Sequence, residues 1–228
     1  MSEERKYLEH KKKTIIDLVN KYNSTSDKEH QFEIDEENLD ISKIFCFNSC
    51  KGCGKCCGSF PCVYSPRDFL DITDLDYMRR ILDTGVVSIV RYNNNYPLII
   101  RNRGVLDEDS IACGDIDTIN PCILFGKNGC ALSDVYRSSQ GLLFVIEKQG
   151  HTSLYSKREY LKEYSNIAYQ DALDVLYDEY KDVVIPKPVE LIFDEKKRVA
   201  SPKEPMNEEN VKKFVNCLIN KKISNKRS

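Results

Sequence analysis

No stretch of this chain stays apolar for long. The longest runs, of which Leu142-Leu143-Phe144-Val145-Ile146 is typical, fall far short of the roughly 20 residues that a membrane-spanning helix needs. The amino terminus, Met1-Ser2-Glu3-Glu4-Arg5-Lys6 leading to Lys11-Lys12-Lys13, has no apolar segment of the kind a secretory signal carries. A cytoplasmic protein with no membrane partner is the expectation. Neither sign of charge dominates: 34 Lys and Arg against 36 Asp and Glu leave a net charge of −2. No global field therefore draws the chain to nucleic acid or anionic lipid. Histidine is scarce, and the three present (His10, His30 and His151) lie away from the cysteines described below, which argues against a local Cys2His2 zinc pattern. Internal repeats and low-complexity tracts are also missing. The remainder, 41% hydrophobic and 10% aromatic in 228 residues, is the composition of a folded chain of one domain, or one with appendages.

Cysteine is abundant by contrast. Six of the ten, Cys46, Cys50, Cys53, Cys56, Cys57 and Cys62, crowd into residues 46–62, and Cys113, Cys122 and Cys130 follow in a later segment. Thiols in a reducing compartment are not kept as disulfides, so metal ligation is the expected reason for such density. Cys50-x2-Cys53-x2-Cys56-Cys57 supplies the spacing at which a turn aims two sulfurs at one ion. Gly52, Gly54 and Gly58 permit the tight turns needed. Lys51 and Lys55, with no acid between Cys46 and Cys62, favour the thiolate form that binds metal. Neighbouring side chains in extended backbone point to opposite sides. Cys56 and Cys57 therefore serve two centres, or one binds metal while the other faces the core or a substrate. Cys122 and Cys130 flank an expected hairpin that returns both to one end, able to complete a site begun by the first loop across a long loop closure. Cys217, at helical spacing from Phe214, is expected to pack in the core.

The strings Cys50-x2-Cys53-x2-Cys56-Cys57, Asn120-Pro121-Cys122-Ile123-Leu124 and Gly129-Cys130-Ala131-Leu132 resemble the YkgJ-type cysteine-cluster family. That family is described as zinc- or iron-chelating, and its larger relatives include flagellin lysine N-methylases. The resemblance covers about residues 46–144 and implies a metal ion held by cysteines. Family members usually carry Arg-Pro, two residues, then a further cysteine after the hairpin. Here the stretch is Tyr136-Arg137-Ser138-Ser139-Gln140-Gly141, and the expected thiol would fall at Gln140 or Gly141. Either Cys46, Cys62 or Cys113 replaces it, or the chain holds fewer metal ions than its relatives. The candidate ligands are thus Cys50, Cys53, Cys56, Cys57, Cys122, Cys130, Cys46, Cys62 and Cys113, with zinc, iron or an iron–sulfur cluster as cofactor, since thiolates suit all of them.

The expected architecture is α+β: a small metal-stapled domain over residues 45–150, an amino-terminal helical arm and acidic linker over 1–44, and a carboxy-terminal helical segment over 151–228. Periodicity predicts a helix over residues 1–25 and another opened by Ser65-Pro66-Arg67-Asp68 and running to Leu82. A third is predicted from Ser156 to Tyr180 and a last one from Glu208 to Ile219. Strands are expected at Val87–Arg91, Leu98–Arg101 and Val189–Phe193, with a hairpin over residues 121–132. Asp107, Glu108, Asp109, Asp115 and Asp117 read as a solvated acidic loop. The tyrosines of the third helix are expected to keep their hydroxyls near water.

The leading functional expectation is a metal-binding cysteine-cluster protein. Two alternatives stand beside it: a flagellin-methylase-like enzyme acting on a protein lysine, and a zinc-ribbon-like adaptor for nucleic acid or protein. The enzyme lacks a visible glycine-rich strand–turn–helix motif for a methyl donor. The adaptor lacks a basic, aromatic-interleaved patch beside the cluster, so nucleic acid is not an expected partner, while a protein partner or substrate stays open.

Overall fold

The computed structural model describes residues 1–27, 31–43, 54–114, 119–126, 129–147, 150–188, 190–195 and 199–221. Helix α1 (Glu3–Thr25) begins where the Ser2 side chain accepts from the Arg5 amide, and Glu3 and Glu4 suit the positive end of the helix dipole. Its buried stripe is Tyr7, Lys11, Thr14, Ile15, Leu18 and Val19. That stripe enters the same continuous core as Val87, Ile123 and Phe214, so the helix expected as an arm is built into the body.

Ser65 and Asp68 form the reciprocal capping box that the sequence announces, but the turn they open is a single 3-10 turn over Pro66–Asp68. The Asp68 carboxylate is fully buried against Lys11 and Ser139, and Phe69 returns to extended backbone. The helix proper, α2 (Leu75–Leu82), starts afresh where Asp74 accepts from the Tyr77 amide. The one helix expected from Ser65 to Leu82 is thus two separate elements.

Strands β1 (Val87–Arg91), β2 (Ile99–Asn102) and β3 (Ala112–Gly114) form one sheet with β1 in the middle. Ile89 lies opposite Ile100 in the antiparallel pair, and Val90 opposite Cys113 in the parallel pair. The β1–β2 connection turns at the asparagine run, where Asn93 accepts from the Asn95 amide at 2.9 Å. The expected cysteine hairpin is present but narrower, β4 (Phe125–Gly126) against β5 (Gly129–Cys130), with Phe125 opposite Cys130. Its Lys127-Asn128 tip lies outside the described residues.

A short helix α3 (Ser139–Leu142) and the hairpin β6 (Phe144–Glu147) with β7 (Gly150–Ser153) follow. The single long helix expected from Ser156 is two: α4 (Lys157–Tyr164) and α5 (Ile167–Tyr180). Asn166 breaks it by capping α5 through the Ala168 amide, the role in which asparagine excels. Tyr160 and Tyr164 are buried rather than water-facing, and the Tyr164 hydroxyl donates to the Tyr64 carbonyl at 2.9 Å. Hairpin β8 (Leu191–Asp194) with β9 (Val199–Pro202) and helix α6 (Glu208–Ile219) complete the α+β fold. Among the described residues, no helix is long and apolar enough to cross a membrane.

Candidate metal centre

The two cysteine-bearing stretches meet. After Gly54, residues 55–59 curl into a tight turn in which the Gly58 amide donates to the Gly54 carbonyl at 2.7 Å and the Phe60 amide to the Cys56 carbonyl at 2.9 Å. The turn then runs alongside the second stretch. The Cys122 amide donates to the Cys57 carbonyl at 2.8 Å, and the Asn120 amide to the Ser59 carbonyl at 2.9 Å. Gly54 has φ +69°, and a Cβ there would sit 2.1 Å from the Phe125 ring of β4. Only glycine allows the loop to press this close to the hairpin.

Cys62, Cys122 and Cys130 all act electrostatically on Tyr64. All three thiols lie near enough that their charged forms would raise the pKa of the Tyr64 phenol, which burial, the largest cause, already pushes well up. Burial drives the Cys122 thiol up to about 12, and Cys130 beside it pushes the same way. Burial also raises Cys130, opposed by the charge and hydrogen bond of the Arg137 guanidinium. The buried Cys62 packs with Phe144, and the half-buried Cys56 joins that small group. A Cβ on Gly141 would lie 3.4 Å from the Cys62 sulfur. Cys57, half-buried, packs instead against the main core that includes Cys122. The adjacent pair therefore diverges, though on a tight turn rather than on the extended backbone expected from the sequence.

Cys113 stands apart. It lies in β3, fully inside the core, with its thiol raised to about 12 by burial and next by Asp107. None of the charges acting most strongly on it is another cysteine. Cys217 packs at the core margin on α6, and burial is the largest cause of its raised thiol pKa. Cys46, Cys50 and Cys53 lie outside the described residues. Among the described residues, no three of His, Cys, Asp and Glu stand close enough together to hold one ion.

A buried ion pair that sequence reasoning placed in solvent braces the junction. Asp107, expected in a solvated loop, is 4% exposed and takes both arms of the Arg101 guanidinium at 2.7 and 2.8 Å. Its oxygens also accept the Gly104 amide and the Asn120 side-chain amide, each at 2.7 Å. Asn120 in turn accepts the Leu106 amide at 2.9 Å. This cluster fixes the start of Asn120-Pro121-Cys122 against the sheet. Arg103, fully buried, donates to the carbonyls of Ile185 and Asp109 at 2.9 and 3.1 Å. The signal that could have revealed both arginines was in the sequence, as two cations within and just beyond a strand whose preceding residues, Leu98-Ile99-Ile100, are apolar. Asp115 and Asp117 of the same acidic run lie outside the described residues.

A second buried cluster ties α1 to the site's surroundings. The Lys11 ammonium, fully enclosed, meets the Asp68 carboxylate and donates to the Arg137 carbonyl at 2.8 Å. Asp68 also receives the Ser65 and Ser139 amides, both at 2.8 Å. Burial lowers the Lys11 pKa, and Asp68 opposes that shift. No family model, no curated protein and no solved structure matches this chain.

Proposed function

We propose that this chain is a metal-binding protein of the YkgJ cysteine-cluster type, holding zinc or iron between its 50–62 stretch and its 122–130 stretch. The observation that carries the reading is the meeting of these two stretches, with Cys57 and Cys122 joined through their backbones. The donors are soft thiols, the chemistry that zinc, iron or an iron–sulfur cluster accepts, and Cys62 and Cys122 among them are buried. In this reading Cys50, Cys53, Cys56 and Cys57 supply thiolates from the first stretch, and Cys122 and Cys130 from the second. Cys62 takes the place of the cysteine expected at Gln140 or Gly141, because its sulfur lies 3.4 Å from where a Cβ on Gly141 would sit. Cys113, walled off in β3, is a core residue. When bound, the metal acts as a cross-link between sequence-distant segments, and the chain's own contribution is to hold the thiols together and exclude water from them.

The test is elemental analysis and native mass spectrometry of protein purified without air and without a nickel column. The expected result is stoichiometric zinc or iron, with colour separating iron–sulfur from zinc, and loss of metal in Cys122→Ser and Cys62→Ser but not in Cys113→Ser. A folded, metal-free chain whose stability ignores chelators would overturn the reading. No observation favours the methylase or the adaptor over it.

A further inference from the structure

A cleft of about 420 Å³ lies between α1 and residues 66–73, the segment that opens with the Pro66–Asp68 turn. That volume falls in the range of roughly 300–1,000 Å³ typical of small-molecule sites. The α1 wall is the stripe His10, Lys13, Thr14 and Asp17, spaced three and four residues apart and therefore on one face. The buried Phe69 and Ile72 supply apolar lining from the other wall, and Tyr169 of α5 adds to it. The two walls are fixed to each other. The Thr14 hydroxyl donates to the Arg67 carbonyl at 3.0 Å, and His10 Nε2 donates to the same oxygen at 2.7 Å.

Apart from His10, two cations and two acids line the cleft, Lys13 and Arg67 against Asp17 and Asp71. Asp71 is saturated: one oxygen accepts the Thr73 amide and hydroxyl at 3.0 and 2.7 Å, the other the Lys221 ammonium at 2.7 Å. Lys221 also faces Asp74 at 3.8 Å. Arg67 is shared between Glu163 at 3.5 Å and Asp17 Oδ2 at 3.4 Å. Glu163 in turn accepts the Ser65 and Tyr155 hydroxyls and faces Lys21, which pairs with Glu159. Two groups keep unused capacity. Lys13 stands one helical turn before Asp17, the spacing at which opposite charges commonly pair. Its ammonium nevertheless has no partner among the described residues, and neither has Asp17 Oδ1. A spare cation and a spare acid oxygen, neighbours on one helix face above apolar side chains, match a molecule that carries both charges and an apolar body. A simple anion would meet Asp17, and a simple cation would meet Lys13.

We infer that this cleft binds a free α-amino acid with a large apolar side chain, its carboxylate on Lys13, its ammonium on Asp17 Oδ1 and its side chain against Phe69 and Ile72. The site shares no residue with the cysteine-bearing stretches and stands independently of the metal reading. The test titrates the full chain by isothermal calorimetry with three probes: L-leucine, isocaproate, which lacks the ammonium, and isoamylamine, which lacks the carboxylate. Leucine should bind at least about tenfold more tightly than either, the effect of one charged hydrogen bond. Lys13→Gln should weaken leucine and isocaproate about tenfold and leave isoamylamine unchanged. Asp17→Asn should weaken leucine and isoamylamine and leave isocaproate unchanged. Lys13 is exposed and the Asp17 side chain is 43% exposed, so both variants should keep the circular dichroism of the parent. No leucine binding in the millimolar range would overturn the inference. So would a leucine affinity no better than that of one of its halves, or variants that weaken all three probes alike or none.

Discussion

Replacing Asp107 by asparagine tests whether the buried ion pair beside the cysteines holds this fold. In the parent, four donors converge on one carboxylate: both arms of Arg101, the Gly104 amide and the Asn120 side chain. Asparagine keeps the volume but turns one acceptor oxygen into a donor, which then faces two donors. It also removes the carboxylate charge that takes both arms of the Arg101 guanidinium, whose side chain is 3% exposed. Breaking a buried pair from one side costs about 3–5 kcal/mol, because a charge is stranded away from water. For a chain of this length that corresponds to a fall of roughly 6–20 °C in melting temperature. The assay is urea and thermal unfolding followed by circular dichroism. The paired change Arg101→Met with Asp107→Leu removes both charges, and it should recover more than half of the loss. An Asp107→Asn protein within about 1 kcal/mol of the parent would refute the reasoning, since only solvent screening could make the exchange so mild.

Three further outcomes are expected. Gly54→Ala places a methyl group 2.1 Å from the Phe125 ring at a positive φ, and should destabilise the chain by about 1–3 kcal/mol in urea unfolding while lowering its metal content. Lys11→Met leaves the buried Asp68 charge with only its hydrogen bonds from Ser65 and Ser139; a loss of about 3 kcal/mol is expected, with limited proteolysis cutting first in α1. Burial raises the phenols of Tyr7, Tyr64, Tyr155 and Tyr164, so the folded state keeps protons that the unfolded chain loses above about pH 10. Stability should therefore hold below that pH and fall above it, with the tyrosinate absorbance of these four appearing only as circular dichroism reports unfolding.

The elements with a clean period or a complete start signal were legible. Helix α1, strands β1 and β2, and α6 fall within a residue or two of where periodicity put them. The junctions were not. Ser65 and Asp68 carried a correct capping box, yet tertiary contacts from Lys11 and Ser139, 57 and 71 residues away, captured Asp68 and stopped the helix after one turn. The break at Ser165-Asn166 was written locally, but the apolar spacing on either side concealed it. Asp107 looked solvated because acids follow it, and nothing local reveals that Arg101 and Asn120 enclose it. For the site, spacing picks out candidate cysteines and sets Cys122 and Cys130 on one hairpin, whereas only Cys130 lies in it and Cys122 is bridged to Gly104. It could not separate Cys62 from Cys113, because one sulfur faces Gly141 and the other sits behind a sheet, a distinction made only by long-range packing.

The seat of α1 carries a consequence for the newborn chain. Lys11 reaches the carbonyl of Arg137, 126 residues later. At the pace of translation those positions are made about 6 to 25 s apart. Throughout that interval the greasy side of the first helix has at most part of its berth, the turn at Arg67 and Asp68, and it waits in the crowded space outside the ribosome for the rest. The earliest helix to be synthesised is therefore among the last to settle, and whatever shields it meanwhile governs how much of the newly made protein reaches its final shape.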